Sequence, residues 1–315
     1  MKTLIITTGG TIGSTFNGAA IDVDASRSCA VAETVKNEYP DFAYDSIAPL
    51  NLLSERITAD DLNVLAKAIL TADIAPYDGV VVTCGSDNLG YLAAFIGLLT
   101  CRWQKPVAVV ASDKVLSDPA ANGCANFRAA LQLIRRGESG CFVPYRNCDG
   151  AVYIHSATDI RQADLSDDFY SFNGAYAVIK DDDIILQKNY IQQMIPAVFD
   201  GEHLPLIRDN VMLIHPYPLL DYDALDIGGK RAVLHTLYHS ATLDSSGAIA
   251  LTERLGDIPL YLASFKNGRK RYQTAVDAVN AGAIPLTDIS PECAYMKLLL
   301  AGAQDRMSVR SFMEG

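Results

Sequence analysis

Three short runs in this 315-residue chain are apolar at nearly every position rather than every second one: TLIIT at 3–7, GVVVT at 79–83 and PVAVVA at 106–111. A strand that is hydrophobic on both faces must be covered on both, which a parallel sheet flanked by helices provides. Helical stretches alternate with these runs. Thr58 or Asp60 caps a helix running to about Leu70, residues 89–100 form an apolar helix, and residues 120–136 form another. The alternation predicts an α/β fold.

From about 141 the pattern shortens to strands at 151–155, 175–179 and 183–186, the last two antiparallel across 180–182. Residues 187–206, polar at the ends and carrying Pro196 and Pro205, read as a connection. Beyond it lie strands at 211–214, 232–238 and 259–264, a short helix at 219–225, and helices at 272–280 and 291–300. The expected organisation is a large N-terminal α/β domain (1–190) whose mainly parallel sheet is flanked by helices. A linker (191–206) joins it to a smaller C-terminal α/β domain with a parallel sheet (207–315).

Net charge is −11, from 26 Lys+Arg against 37 Asp+Glu, so the positive footprint of a nucleic-acid partner is missing. Seven cysteines, an odd number without CxxC spacing, fit a reducing compartment. The opening MKTLIITTGG has too short an apolar run for a signal peptide, and no segment approaches the roughly 20 apolar residues of a membrane span. A cytoplasmic protein without membrane contact is expected.

The chemistry gathers at strand ends. The first run ends in Thr8-Gly9-Gly10-Thr11-Ile12-Gly13, a tight turn offering backbone N–H groups and a hydroxyl, as an oxyanion cradle would. It lacks the spacing of GxGxxG and of a P-loop. The second run ends in Cys84-Gly85-Ser86-Asp87, a hydroxyl beside a carboxylate; Leu53-Ser54-Glu55 is a third polar strand end. Taken singly, each also reads as structure: a glycine turn with a structural threonine, or Ser86 or Asp87 capping the helix that follows. Residues 14–28 are small and polar and predict an exposed, mobile loop.

In order, TTGGTIG, LLSERIT, VVVTCGSDNLGYLAA, PVAVVASDKVLSDPAANGCANFRAAL, VYIHSATDI and AGAIPLTDISPECAYMKLLLAGA resemble the bacterial-type L-asparaginase (asparaginase/glutaminase) family over nearly the whole chain. That family hydrolyses side-chain amides of amino acids and releases ammonia. The resemblance implies that Thr11 is the nucleophile and that Ser86 falls on the second catalytic threonine. It implies that Asp87 binds the α-amino group, while Ser54 and Glu55 hold the α-carboxylate and α-amine beside Gly10. It also implies a homodimer or homotetramer with active sites between subunits. The residue types suit these roles, since a zwitterion needs carboxylate acceptors and neutral donors, and an amide carbonyl needs a nucleophile with N–H donors. No cofactor or metal is implied. His235 and His239 in LHTLYH read as packing or a subunit contact rather than as ligands.

Three departures fall on proton transfer. Gln162 stands at the place of the family's catalytic lysine, and glutamine carries no proton; Lys114 is the next candidate for that role. Ser86, preceded by Cys84, replaces a threonine preceded by histidine. The loop after Thr11 lacks the family's tyrosine up to Tyr39, leaving Tyr39 or Tyr44 to reach back. Two readings remain: an amidohydrolase with a modified relay, or a weak or inactive relative that binds an amino acid as a sensor or interaction protein.

Overall fold

β1 (Lys2–Thr7) is buried from Thr3 to Thr7, as its unbroken apolar run requires. The computed structural model describes every residue except 17–20, 25–28, 165, 182, 188–203, 205, 267, 304–312 and 314–315. The chain divides into two compact units, Met1–Leu204 and Pro205–Gly315; of the expected linker, only residues 204 and 206 lie within the described residues.

After β1 the first unit continues through β2 (Ser14–Phe16), β3 (Ile21–Val23), α1 (Ala30–Lys36), β4 (Ala43–Ile47), α2 (Ala59–Leu70), β5 (Gly79–Thr83) and α3 (Leu89–Thr100). It is completed by β6 (Pro106–Val110), α4 (Gly123–Arg136), β7 (Gly140–Arg146), β8 (Val152–Ser156), β9 (Ala177–Lys180) and β10 (Asp183–Leu186). Eight strands form one sheet in the order β10-β9-β8-β7-β6-β5-β1-β4. β4, β1, β5, β6 and β7 run parallel, and the remaining pairings are antiparallel, including β9 with β10.

Strand alternation divides the apolar runs between two helical layers. Ile5, Val81, Ala108 and Val110 pack with Val31 and Val35 of α1 and Phe127 and Ile134 of α4. α2 packs on α3. The chain therefore leaves β1 toward β4 on one side and leaves β5 toward β6 on the other. Connections diverging from neighbouring strands open a crevice at their carboxyl ends, the place where open α/β sheets hold ligands. Thr58 starts α2 through a capping box: Asp61 N–H donates to its Oγ1 at 3.3 Å, and its own N–H donates to the Asp61 carboxylate at 2.9 Å.

The second unit contains β11 (Val211–Ile214), β12 (Ala232–Thr236), α5 (Ser245–Leu255), β13 (Leu260–Phe265), α6 (Gln273–Asn280), β14 (Ile284–Thr287) and α7 (Pro291–Gly302), with its four strands parallel in sequential order. α5 packs on α6, and α7 lies against β11, β12 and β13. Ser290 caps α7 by accepting from Cys293 N–H at 3.1 Å, and Pro291 follows in the first turn.

Several expectations need correction. Residues 219–225 are not a helix. Leu219 adopts φ 65°, and the Asp221 carboxylate accepts from the N–H groups of Asp223 and Ala224 at 3.0 and 3.3 Å, closing an Asx-type turn. α4 starts at Gly123 rather than at 120, because Asn122 is drawn into bonds with neighbouring loops. Within 14–28, Ser14–Phe16 and Ile21–Val23 pair as an antiparallel ladder rather than an open loop; residues 17–20 and 25–28 lie outside the described residues. α5 falls where no helix is expected.

Candidate active site

The end of β1 is fastened to both neighbouring segments. Thr8 donates to the Thr83 carbonyl from its N–H at 3.1 Å and from its hydroxyl at 3.0 Å. Leu52 N–H donates to Thr8 and Gly10 N–H donates back to Leu52, at 3.1 and 3.0 Å, so the chain before Ser54 is zipped to the glycine turn. Gly9 and Gly10 have φ of 101° and 81°, the left-handed region that glycine tolerates. A Cβ on Gly9 would lie 2.4 Å from the Leu52 carbonyl, and one on Gly10 would lie 2.3 Å from Gly85 N. A Cβ on Gly85 would lie 2.3 Å from Ser54 Oγ and 3.4 Å from Gly10 Cα. Gly10 pressed on the Gly85 backbone, and Gly85 on the Ser54 side chain, thus join the ends of β1 and β5 to Ser54-Glu55, which opens a 3-10 turn (Ser54–Arg56) beyond the end of β4 rather than ending a strand as expected.

Thr11 opens a 3-10 turn (Thr11–Gly13) closed by Gly13 N–H and Ser14 Oγ, both donating to the Gly10 carbonyl, at 3.0 and 2.8 Å. The cradle expected from Gly9-Gly10-Thr11 is narrower than its three N–H groups, because the Gly10 N–H is spent on Leu52. Among the described residues, the Thr11 hydroxyl and the carboxylates of Glu55 and Asp87 have no hydrogen-bond partner. Thr11 and Ser86 are half-buried, Ser54 is buried, and Glu55 and Asp87 reach the surface.

Asn88, which sequence reasoning passed over, caps α3 in position and donates to the Ser54 carbonyl at 2.6 Å. Its signal is an asparagine between a strand-end GSD and an apolar helix. α3 is twelve residues long, and its N-terminal dipole faces the turn that carries Ser86 and Asp87.

Gln162 reaches this turn with both ends of its amide. Nε2 donates to the Ser86 carbonyl at 3.1 Å, and Oε1 accepts from Gly90 N–H at 3.0 Å. A Cβ on Gly90 would lie 2.8 Å from Gln162 N, so the approach requires glycine. Lys114 instead lines a separate cavity with Asp113, Arg146 and Asp167.

Neither tyrosine hydroxyl bonds Thr11. Tyr44 pairs with Thr3 at the far end of β1, roughly 16 Å of strand from Thr8 at about 3.3 Å per residue. Its hydroxyl bonds the Glu33 carboxylate; burial first and this bond second push its pKa up. Tyr39 lies beneath the Arg135 guanidinium, 4.8 Å from its ring centre.

Two other candidate groups are disarmed by burial. The Cys84 thiol is pushed up to about 12 and stays protonated. His155, bonded to Ser171 Oγ at 2.9 Å, is held down to about 3 and stays neutral. His235 is buried, stacks on Tyr222 and bonds its hydroxyl at 2.9 Å, whereas His239 is exposed and bonds Ser240. The two histidines do not share a site, and the described residues contain no cluster of three or more metal-ligating side chains.

Residues 2–192 match the family model described as asparaginase, N-terminal. The chain belongs to the asparaginase family. This asparaginase-family amidohydrolase is 26% identical over 336 aligned positions to an L-asparaginase of Thermococcus kodakarensis, spanning 100% of this chain and 97% of that one. It is 27% identical to a component of the glutamyl-tRNA(Gln) amidotransferase of Pyrococcus abyssi, over 98% of this chain and 74% of the relative. Its fold matches a probable cytoplasmic L-asparaginase from Campylobacter jejuni with a TM-score of 0.77 at 22% identity, covering 99% of this chain and 98% of that one.

Proposed function

We propose that this amidohydrolase cleaves the side-chain amide of asparagine or a related amino-acid amide to the acid and ammonia, with Thr11 as nucleophile. The observation that carries the reading is the contact of Gly10 with Gly85 and of Gly85 with Ser54, beside unpartnered Thr11, Glu55 and Asp87. Thr11 Oγ1 attacks the amide carbon, and the displaced electrons return as the C–N bond breaks. Ammonia leaves with the proton given up by the hydroxyl, and water then hydrolyses the threonyl ester. The Thr11 N–H is a donor for the oxyanion. Asp87 and Glu55 accept from the substrate ammonium, while the Ser54 hydroxyl and the N-terminal end of α3 take its carboxylate.

Ser86 provides the second hydroxyl. Gln162 is its positioning residue, acting through the Ser86 carbonyl. The protein works as a cytoplasmic homodimer or homotetramer; its seven cysteines, all free, fit that compartment.

One observation favours the second reading, an amino-acid binder with little turnover: the side chain at the family's lysine position is a glutamine engaged with backbone at both ends. Ammonia or amine release from asparagine, glutamine and N-substituted amides decides between them. Turnover on at least one substrate, reduced at least about 10³-fold by Thr11→Ala, is expected of the enzyme. Amino-acid binding without turnover on any of them establishes the sensor instead.

A further inference from the structure

The turn that carries Ser54 and Glu55 is held from two sides. On one, Leu52 exchanges backbone bonds with Thr8 and Gly10. On the other, the Ser54 side chain presses on Gly85, and Asn88 Nδ2 donates to the Ser54 carbonyl at 2.6 Å. Among the described residues, this is the one hydrogen bond between residues 53–56 and residues 84–90. The turn has little else to hold it. Arg56 N–H donates to Leu53 and Ile57 N–H to Ser54, at 3.0 and 3.3 Å, and none of its three side chains bonds a described residue.

Asn88 makes its bond in place of an ordinary one. An asparagine at the start of a helix accepts from an N–H of the first turn. Asn88 occupies that position in α3, makes no such bond, and turns its amide across to Ser54 instead. Its own backbone is fixed. Leu92 N–H donates to the Asn88 carbonyl at 2.9 Å, and Leu89 N–H and Gln162 Nε2 both donate to the Ser86 carbonyl at 3.1 Å. The Asn88 end of the tether is therefore anchored, and the Ser54 end is what it restrains.

In the proposed reaction the substrate is gripped twice, at its α end by Ser54, Glu55 and Asp87 and at its side-chain amide by Thr11. The spacing of the two grips decides how many methylenes fit between them, and one methylene is worth about 10–200-fold in a fitted site. We propose that Asn88 is a positioning residue for substrate length. Acting through Ser54, it fixes the distance from the α end to the nucleophile, and so selects between asparagine and its one-methylene-longer homologue glutamine. The inference rests on the placement of Ser54 at the substrate's α end. Loss of a bond that served folding alone would weaken both amides alike, whereas loss of a length restraint costs the fitted one more.

The ratio of kcat/KM for asparagine and glutamine in wild type, Asn88→Ser and Asn88→Asp tests it. Serine is too short to reach Ser54, and aspartate keeps the shape without the donor. Both are good helix N-caps, so thermal midpoints within about 4 °C of wild type are expected. Wild type prefers one amide at least about tenfold, and in both variants that preference shrinks at least about fivefold through loss on the preferred amide. Ser54→Ala shrinks it too, and combining Ser54→Ala with Asn88→Ser adds little, since the two act as one. A wild type that treats the amides alike, a preference unmoved in both variants, equal losses on both amides, or full additivity with Ser54→Ala overturns the inference. If no amide turns over, the proposed reaction fails, and the preference is read by calorimetry as aspartate against glutamate affinity under the same criteria. Binding of neither overturns both.

Discussion

At position 162 the side chain binds backbone at both ends. Gly90 is an early residue of α3, where N–H groups have no partner within the helix, and Gln162 Oε1 supplies one. Gln162→Ala leaves that N–H unpaired and frees the Ser86 carbonyl, at an expected cost of about 1–3 kcal/mol measured by urea unfolding. Gln162→Glu keeps an acceptor for Gly90 but sets a carboxylate oxygen against the Ser86 carbonyl. It is expected to lower both thermal midpoint and kcat. If position 162 handled protons instead, the carboxylate would raise kcat and add a new limb to the pH profile. The substitution of glutamine for the family lysine was legible in the sequence. Its engagement was not, because Gly90 and Ser86 are 72 and 76 residues away and only the folded chain brings them to it.

At the scale of elements, the site rests on two glycines in contact. Gly85→Ala puts a methyl group where Ser54 Oγ and Cβ already lie, 2.3 and 2.8 Å from its position, at an expected cost of roughly 1–3 kcal/mol. Ser54→Gly removes both atoms, so the double variant is expected to recover part of that loss. Strict additivity of the two thermal shifts would show that the segments do not touch. The strands behind this contact were readable because β1, β5 and β6 are apolar at consecutive positions, and the α2 start because Thr58 and Asp60 are both cap residues, of which the structure uses Thr58 in a box with Asp61. Residues 219–225 misled because the Asp221 side chain competes for the N–H groups that a helix would leave to its own backbone. Thr11, Ser54 and Asp87 were each visible at an expected strand end. The contacts that join these segments, Gly10 with Gly85 and Gly85 with Ser54, show only in the folded chain, and Asn88 escaped notice because its bond to Ser54 spans 34 residues.

For the molecule as a whole, buried histidines set a response to acid. His155 is held down to about 3 by burial, and His235 is also lowered by burial. Above about pH 6.5 such a histidine is neutral in both folded and unfolded chains and contributes no pH dependence. Below it the unfolded chain takes up a proton that folded His155 refuses, so stability falls as pH drops from about 6.5 toward 3. Between pH 6.5 and 5, His155 alone is expected to lower the stability of the first unit by about 2 kcal/mol. Urea unfolding of wild type and His155→Gln at both pH values checks this. The variant should show a shallower acid loss, and an identical slope would mean that His155 protonates in the folded chain.

The central claim, that Thr11 carries the covalent chemistry, is tested most directly by mass spectrometry of the protein after reaction with an electrophilic asparagine analogue whose leaving group replaces the amide. The expected result is a single adduct on the peptide containing Thr11, absent from Thr11→Ala. An adduct confined to Ser86 or Cys84, or one retained in Thr11→Ala, would contradict it.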